Sequence, residues 1–162
     1  MAIPSLPDLC DEFGDLLRVA EPVFQHFGAV TAFSGPISTV RCFEDNSFVA
    51  SQLRSPGEGR VLVVDGEASM NCALVGDQLA AAGVENNWCG VIVNGCVRDV
   101  EILSELPIGI MALAPAPRRS VKAQRGDVDI DVSFAGLNFS PGEHLYADRN
   151  GIAVTASRLP PG

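Results

Sequence analysis

The 162-residue sequence is poor in basic charge: it has 11 lysine and arginine residues against 20 aspartates and glutamates, a formal net charge of -9. No lysine- or arginine-rich stretch stands out from the chain. A general nucleic-acid binder needs a basic surface that displaces counterions from phosphates. The composition therefore argues against direct nucleic-acid binding, and it leaves a protein partner open.

Long apolar runs and paired cysteine motifs are also missing. The longest apolar run, residues 106–117, is interrupted by Pro107 and Pro115 and is too short to span a bilayer. The five cysteines never fall in a Cys-x-x-Cys spacing, and no secretory signal is recognisable. We therefore expect a cytoplasmic protein with reduced thiols, without a thiolate zinc site and without membrane association.

The chain does have enough apolar material for one packed domain. Hydrophobic residues make up 47% of it and charged residues 19%, which is a globular balance and not a disordered one. The length predicts a single domain over residues 1–162. Only the proline-rich tail, residues 158–162, is expected to be loose.

Short apolar runs alternate with helical segments through the middle of the chain. Asp45 or Asn46 is expected to cap a short helix that runs through Arg54. Alternation of this kind is typical of right-handed crossover units around a parallel or mixed sheet. The predicted elements are strands at 37–43, 60–64, 90–93 and 108–113 and helices at 79–84 and 99–106.

The two ends of the chain have other patterns. Residues 8–27 have apolar positions at helical spacing, which predicts short helices divided by Gly14 and Pro22. Residues 127–134 alternate strictly, which predicts one strand with its three aspartates on a solvated face and not around a metal. Asn150-Gly151 is typical of a hairpin turn. The whole predicts an α/β domain with a mixed central sheet, parallel in the middle and antiparallel behind.

Two segments are candidates for chemistry because ligands of open α/β sheets gather where strands end and helices begin. The first is Gly76, Asp77, Gln78 and Leu79, at the start of the alanine-rich helix. Backbone N–H groups of a first helical turn lack partners within the helix and can bind a carboxylate. Asp77 could equally be an ordinary capping residue.

The second segment is the predicted loop 95–99, which ends in Arg98 and Asp99. A guanidinium donates two parallel hydrogen bonds to a carboxylate, and an aspartate oxygen suits Mg²⁺ or Mn²⁺. The pair could therefore bind an anionic oxo-acid and a divalent metal cation. By themselves, these two residues could also be a surface arginine beside a helix-capping aspartate.

The spacing of Asp77, twenty intervening residues and then Arg98-Asp99 is similar to the Asp-x20-Arg-Asp signature of the RraA-like family, which includes class II 4-hydroxy-4-methyl-2-oxoglutarate (HMG) aldolases. One departure is the turn at 66–69, Gly-Glu-Ala-Ser, where many relatives have more glycine. Further similar segments cover most of the chain in order and lie at 35–46, 60–66, 90–99 and 144–152.

The resemblance implies a fold of the swivelling ββα type, a homotrimer with its site near a subunit boundary, and a metal-dependent lyase. The implied reaction is aldol cleavage of HMG to two pyruvates, with oxaloacetate decarboxylation as a secondary activity. Asp99 would hold Mg²⁺ or Mn²⁺, directly or through water, while Arg98 and the amides of residues 76–79 bind substrate oxygens. Asp77 would position or activate a water in proton transfer.

The sequence leaves other functions open. Some relatives inhibit ribonuclease E by protein contact, but the enterobacterial type typically lacks the complete signature that this chain keeps. A third possibility is the same enolate chemistry on a different oxo-acid. An older description of such sequences as menaquinone methyltransferases finds no support, because no glycine-rich strand–turn–helix followed by an acidic ribose ligand is present.

Overall fold

The computed structural model describes residues 3–160. Its helices are α1 (Leu6–Phe13), α2 (Ser47–Leu53), α3 (Asp77–Glu85) and α4 (Val100–Leu103), with a short 3₁₀ turn at Gly14–Leu16. Its strands are β1 (Arg18–Val19), β2 (Gln25–His26), β3 (Phe33–Arg41), β4 (Val61–Asp65), β5 (Ala73–Val75), β6 (Gly90–Val97), β7 (Gly109–Pro115), β8 (Asp127–Val128), β9 (Val132–Phe134), β10 (Leu137–Phe139), β11 (His144–Asp148) and β12 (Gly151–Thr155).

The main sheet is mixed, as predicted. Strands β3, β4, β6 and β7 run parallel side by side, and β5 pairs in parallel with the far end of β6. Strands β11, β12 and β1 extend the sheet antiparallel beyond β3, and β2 closes the other edge against β7. Strands β9 and β10 form a separate two-stranded ribbon.

Both faces of the parallel strands are covered, which explains why their sequences are almost wholly apolar. Along β4, Leu62 and Val64 face one core together with α2 and α3. Val61 and Val63 face the opposite core together with the ribbon β9–β10. Because consecutive strand residues point to opposite faces, a strand buried on both sides needs an unbroken apolar run.

The chain differs from its predicted elements where tertiary pairing decides. The second half of the predicted helical region 8–27 contains the edge strands β1 and β2 instead. The predicted strand 127–134 is two short strands, because Asp129 takes a left-handed conformation with φ 57° and its N–H donates to Thr39 O. Strand β6 also continues through Val97, so the predicted loop 95–99 is shortened to Arg98 and Asp99.

The antiparallel half of the chain agrees with the sequence pattern. Strands β11 and β12 form the predicted hairpin, with Asp148 opposite Gly151. Leu159 belongs to the tail predicted to be loose, yet its side chain is buried and its N–H donates to the Tyr146 hydroxyl at 2.8 Å. The last two residues, 161–162, lie outside the described part. Within residues 3–160 no helix is long and apolar enough to cross a membrane.

Candidate active site

The two predicted segments meet at the carboxyl-end edge of the parallel sheet. Strand β5 leads into Gly76 and α3, and β6 leads into Arg98 and α4. The two strands pair Val75 with Val97, and the N–H of Arg98 donates to Val75 O at 3.0 Å. This pairing brings Gly76 beside Arg98. The three-residue strand β5 was not predicted, and its only signal in the sequence is the short apolar run before Gly76.

Gly76 is required by close approach and not by its backbone angles. Its φ of -126° is open to any residue. A Cβ at this position would lie 2.7 Å from Asp99 Oδ2 and 3.4 Å from Arg98 Cγ. Because 2.7 Å is shorter than a normal contact, a Cβ at residue 76 would push the Asp99 carboxylate away from the start of α3, and glycine lets the two lie this close.

Carboxylates already bind the first amides of α3. Asp99, which is left-handed with φ 60° and ψ 42°, accepts a hydrogen bond at Oδ2 from the Asp77 N–H at 3.1 Å. The Gln78 N–H donates to Asp77 Oδ1 at 2.9 Å. Leu79 points its side chain into the core and is 6% exposed, whereas Gln78 is exposed. Two of the backbone N–H groups that were predicted to bind a substrate carboxylate therefore already donate to the protein's own aspartates.

We call the place where Arg98 and Asp99 meet Asp77 at the start of α3 the corner. Its carboxylate oxygens fit a divalent cation that keeps water and substrate among its ligands. Asp99 Oδ1 makes no hydrogen bond within residues 3–160, so it is free to face a cation. The same part of the chain has no cluster of three or more His, Cys, Asp or Glu side chains. Mg²⁺ is commonly held by one or two carboxylates and completes its shell with water and substrate oxygens.

A cavity of about 580 Å³ opens beside this corner and is rich in cationic side chains. Four cationic side chains and two carboxylates line it, so the cavity is positive although the formal net charge of the whole chain is -9. Within residues 3–160 the only ion pairs are Arg18–Glu143 and Arg41–Asp127, outside the cavity. The charged lining residues are Arg54, Arg98, Arg119, Lys122, Asp77 and Asp99.

Most of this positive wall was missed in the sequence. The segment 118–125 holds four of the chain's eleven basic residues, which is the signal for this wall in the sequence. Arg119 and Lys122 come from this segment, and Arg54 directly follows α2. Cationic side chains that converge on one cavity without ion-pair partners favour the binding of an anionic ligand.

Asp45 holds the basic segment 118–125, which carries Arg119 and Lys122, through backbone hydrogen bonds. Its Oδ1 accepts from the N–H and hydroxyl of Ser47, and its Oδ2 accepts from the N–H of Ala123 at 2.8 Å and of Arg125 at 3.3 Å. Burial by itself would raise the pKa of Asp45, but these hydrogen bonds outweigh burial and lower it. The ionised carboxylate therefore ties the start of α2 to the basic segment.

Comparison with known sequences decides the family. The sequence model of the RraA-like family, described as Aldolase/RraA, matches residues 6–154. The chain belongs to the RraA-like family.

One relative is a protein of Xanthomonas campestris pv. campestris (strain B100) described as "Putative 4-hydroxy-4-methyl-2-oxoglutarate aldolase". It is 58% identical over 153 residues, which are 94% of this chain and 92% of that protein. A Geobacillus kaustophilus crystal structure, described as an S-adenosylmethionine:2-dimethylmenaquinone methyltransferase, superposes with a TM-score of 0.94 at 42% identity and covers 98% of this chain and 100% of that chain.

A second solved structure is the RNA-processing inhibitor RraA of Thermus thermophilis. It superposes with a TM-score of 0.93 at 39% identity and covers 99% of this chain and 96% of that one. The RraA-like fold of the chain is therefore shown by similarity along almost its whole length.

Proposed function

We propose that this member of the RraA-like family is a divalent-metal-dependent aldolase that cleaves HMG to two pyruvates, with oxaloacetate decarboxylation as a secondary activity. The observation that carries the proposal is the corner where Asp77, Arg98 and Asp99 converge on a positive cavity. The names of the aldolase relatives support the same reaction. HMG carries two carboxylates, which suits a cavity with more cations than anions.

Side chains of this corner have distinct tasks in the proposed cleavage. Arg98 donates to the substrate carboxylate, and its guanidinium stays close to the negative charge that develops on the departing pyruvate enolate. The substrate hydroxyl loses its proton, the adjacent C–C bond breaks with its electron pair moving to the enolate carbon, and reprotonation completes the second pyruvate. Asp77 positions a water for these proton transfers.

The expected cation is Mg²⁺ or Mn²⁺, held by Asp99 directly or through water. When bound, it supplies a Lewis acid that polarises the keto group of the substrate. Decarboxylation of oxaloacetate places charge on the same atoms, so Arg98 serves that reaction too.

The experiment that tests the proposal is a lactate-dehydrogenase-coupled assay of pyruvate release from HMG and from oxaloacetate. Treatment with a chelator should abolish release, and added Mg²⁺ or Mn²⁺ should restore it. Full activity in chelator would remove the metal from the proposal. Absence of pyruvate release from HMG with either metal would remove the aldolase function.

A regulatory function is the second candidate, because the RNA-processing inhibitor RraA is 39% identical along nearly the whole chain. In that case the protein would bind a ribonuclease E-type partner by protein contact and would release no pyruvate. Co-purification with the candidate ribonuclease, together with the coupled assay, separates the two functions. The complete Asp77–Arg98–Asp99 set favours the enzyme.

We further propose that the protein assembles as a homotrimer with a neighbouring subunit near the cavity. Val121 lines the cavity and is 58% exposed, and Phe43 nearby is 56% exposed. A partner subunit would cover these apolar side chains. Light scattering should give three times the mass of the chain, and a monomeric mass would contradict the assembly.

A further inference from the structure

Two residues that line the cavity each have a buried polar atom without a hydrogen-bond partner within residues 3–160: Ser120 Oγ and Asn46 Oδ1. The only other such side-chain atom in that part of the chain is Nδ1 of His26, which lines a different cavity. Ser120 is 6% exposed. A buried polar atom without a partner is costly, so these two atoms are unmet hydrogen-bonding groups that a bound water or a ligand would satisfy.

Asn46 and Ser120 lie on the same part of the wall. The Asn46 N–H donates to Val121 O at 3.3 Å, which places residue 46 directly beside the segment that carries Ser120. The amide of Asn46 is oriented by its Nδ2, which donates to Leu74 O at 3.1 Å. The unpartnered Oδ1 can therefore only accept, whereas the Ser120 hydroxyl can both donate and accept.

This combination fits an alcohol better than a carboxylate. An alcohol can donate its proton to Asn46 Oδ1 and accept from the Ser120 hydroxyl, which satisfies both buried atoms. A carboxylate only accepts, so it would face Asn46 Oδ1 with a second acceptor and leave it unsatisfied. The cationic side chains of Arg98 and Arg119 elsewhere on the cavity are better partners for carboxylates.

We propose that Asn46 and Ser120 bind the hydroxyl group of the substrate and favour hydroxylated oxo-acids over oxaloacetate. This inference rests on the proposed aldolase function, because HMG carries a hydroxyl at the carbon next to the cleaved bond and oxaloacetate carries none. The two residues determine specificity through this contact, while the chemistry stays with Arg98, Asp77 and Asp99.

Ser120→Ala tests the inference because it removes only the unpartnered oxygen. The variant should lower kcat/KM for HMG cleavage by at least about tenfold and leave oxaloacetate decarboxylation within about twofold of the wild type. Its melting temperature should not fall, since no protein hydrogen bond is lost. The matched control is Ser38→Ala. Ser38 is buried as well, and its hydroxyl accepts from Arg60 outside the cavity. This variant should leave the ratio of the two activities unchanged.

Binding of two inert diacids separates this inference from the proposed function. Calorimetry with 3-hydroxy-3-methylglutarate and 3,3-dimethylglutarate, which differ by hydroxyl against methyl, should show at least about tenfold tighter binding of the hydroxylated ligand to the wild type. Ser120→Ala should bind both within about twofold. Retention of the preference in the variant, or its absence in the wild type, overturns the inference. If Ser120→Ala abolishes the binding preference but the wild type releases no pyruvate, the hydroxyl site stands and only the aldolase function is overturned.

Discussion

The Asp99 carboxylate caps α3 from a different loop, with its Oδ2 accepting from the Asp77 N–H at 3.1 Å. A negative side chain at the positive end of a helix contributes roughly 0.3–1 kcal/mol. The two aspartates are 22 residues apart in the sequence. Between them the chain runs through α3 and β6 and returns to the same edge of the sheet. The contact holds Asp99 in place for its proposed role.

Gly76→Ala should disrupt this corner without unfolding the protein. The added Cβ would approach Asp99 Oδ2 to 2.7 Å, while the backbone at residue 76 has ordinary angles. We expect pyruvate release to fall by roughly 10²-fold, because small displacements of positioned groups are costly to catalysis. Gly95→Ala is the control, since its Cβ would meet nothing closer than 3.5 Å. Equal losses in both variants would contradict the steric explanation.

Arg98→Lys should keep the charge and lose the planar pair of donors. We expect kcat/KM for HMG to fall by roughly 10²-fold or more, the order seen when a preorganised charge stabiliser is removed. Steady-state kinetics of the purified variant measure the change. A value near that of the wild type would exclude Arg98 from the site.

Asp77→Asn should separate proton transfer from helix capping. An asparagine oxygen can still accept from the Gln78 N–H, so the free energy of unfolding should change by less than about 1 kcal/mol. Turnover of HMG should fall much further, because an amide cannot activate water as a carboxylate does. If urea denaturation shows a large loss of stability instead, capping is the main role of Asp77.

Ala68→Gly should stabilise the turn in which this chain has less glycine than many relatives. Ala68 is left-handed with φ 58°, and the preceding Glu67 is left-handed as well, with φ 54°. A non-glycine residue in that region costs roughly 1 kcal/mol, so the substitution should raise the free energy of unfolding by about 0.5–1 kcal/mol. Asn87→Gly, at φ 63°, is the control and should gain less, because asparagine tolerates this conformation.

His144 should make the protein less stable as the pH falls. Burial, and then the charge of Arg158, lower the pKa of His144 in the folded protein. The unfolded chain binds the proton at a pKa of about 6.5, so this contribution to stability is complete above that pH and is lost as the pH falls towards the folded-state pKa. Urea midpoints at pH 7.5 and pH 5 should differ less in His144→Gln than in the wild type; an equal difference would exclude His144.

Much of the fold could be predicted from the sequence where the signal was local. The strands β4 and β6 and the helix α3 follow from apolar runs and helix formers, and the hairpin β11–β12 follows from its Asn-Gly turn. The edge strands β1 and β2 could not, because two-residue strands are made by the sheet they pair with. The break at Asp129 is likewise set by a contact with Thr39.

By itself, the sequence determined the mixed α/β architecture, because strand periodicity is a local pattern of the chain. Its resemblance to the RraA-like family singled out Asp77, Arg98 and Asp99 as candidate site residues. Only the tertiary structure decided what surrounds them. The cations Arg54 and Lys122 and the unpartnered Ser120 hydroxyl come from distant segments, and they share one cavity only after the chain has folded. The concentration of basic residues at 118–125 is visible in the sequence. The burial of the Ser120 hydroxyl and the convergence of these cations with charges from other segments exist only in the folded chain, so the sequence could not show where they meet.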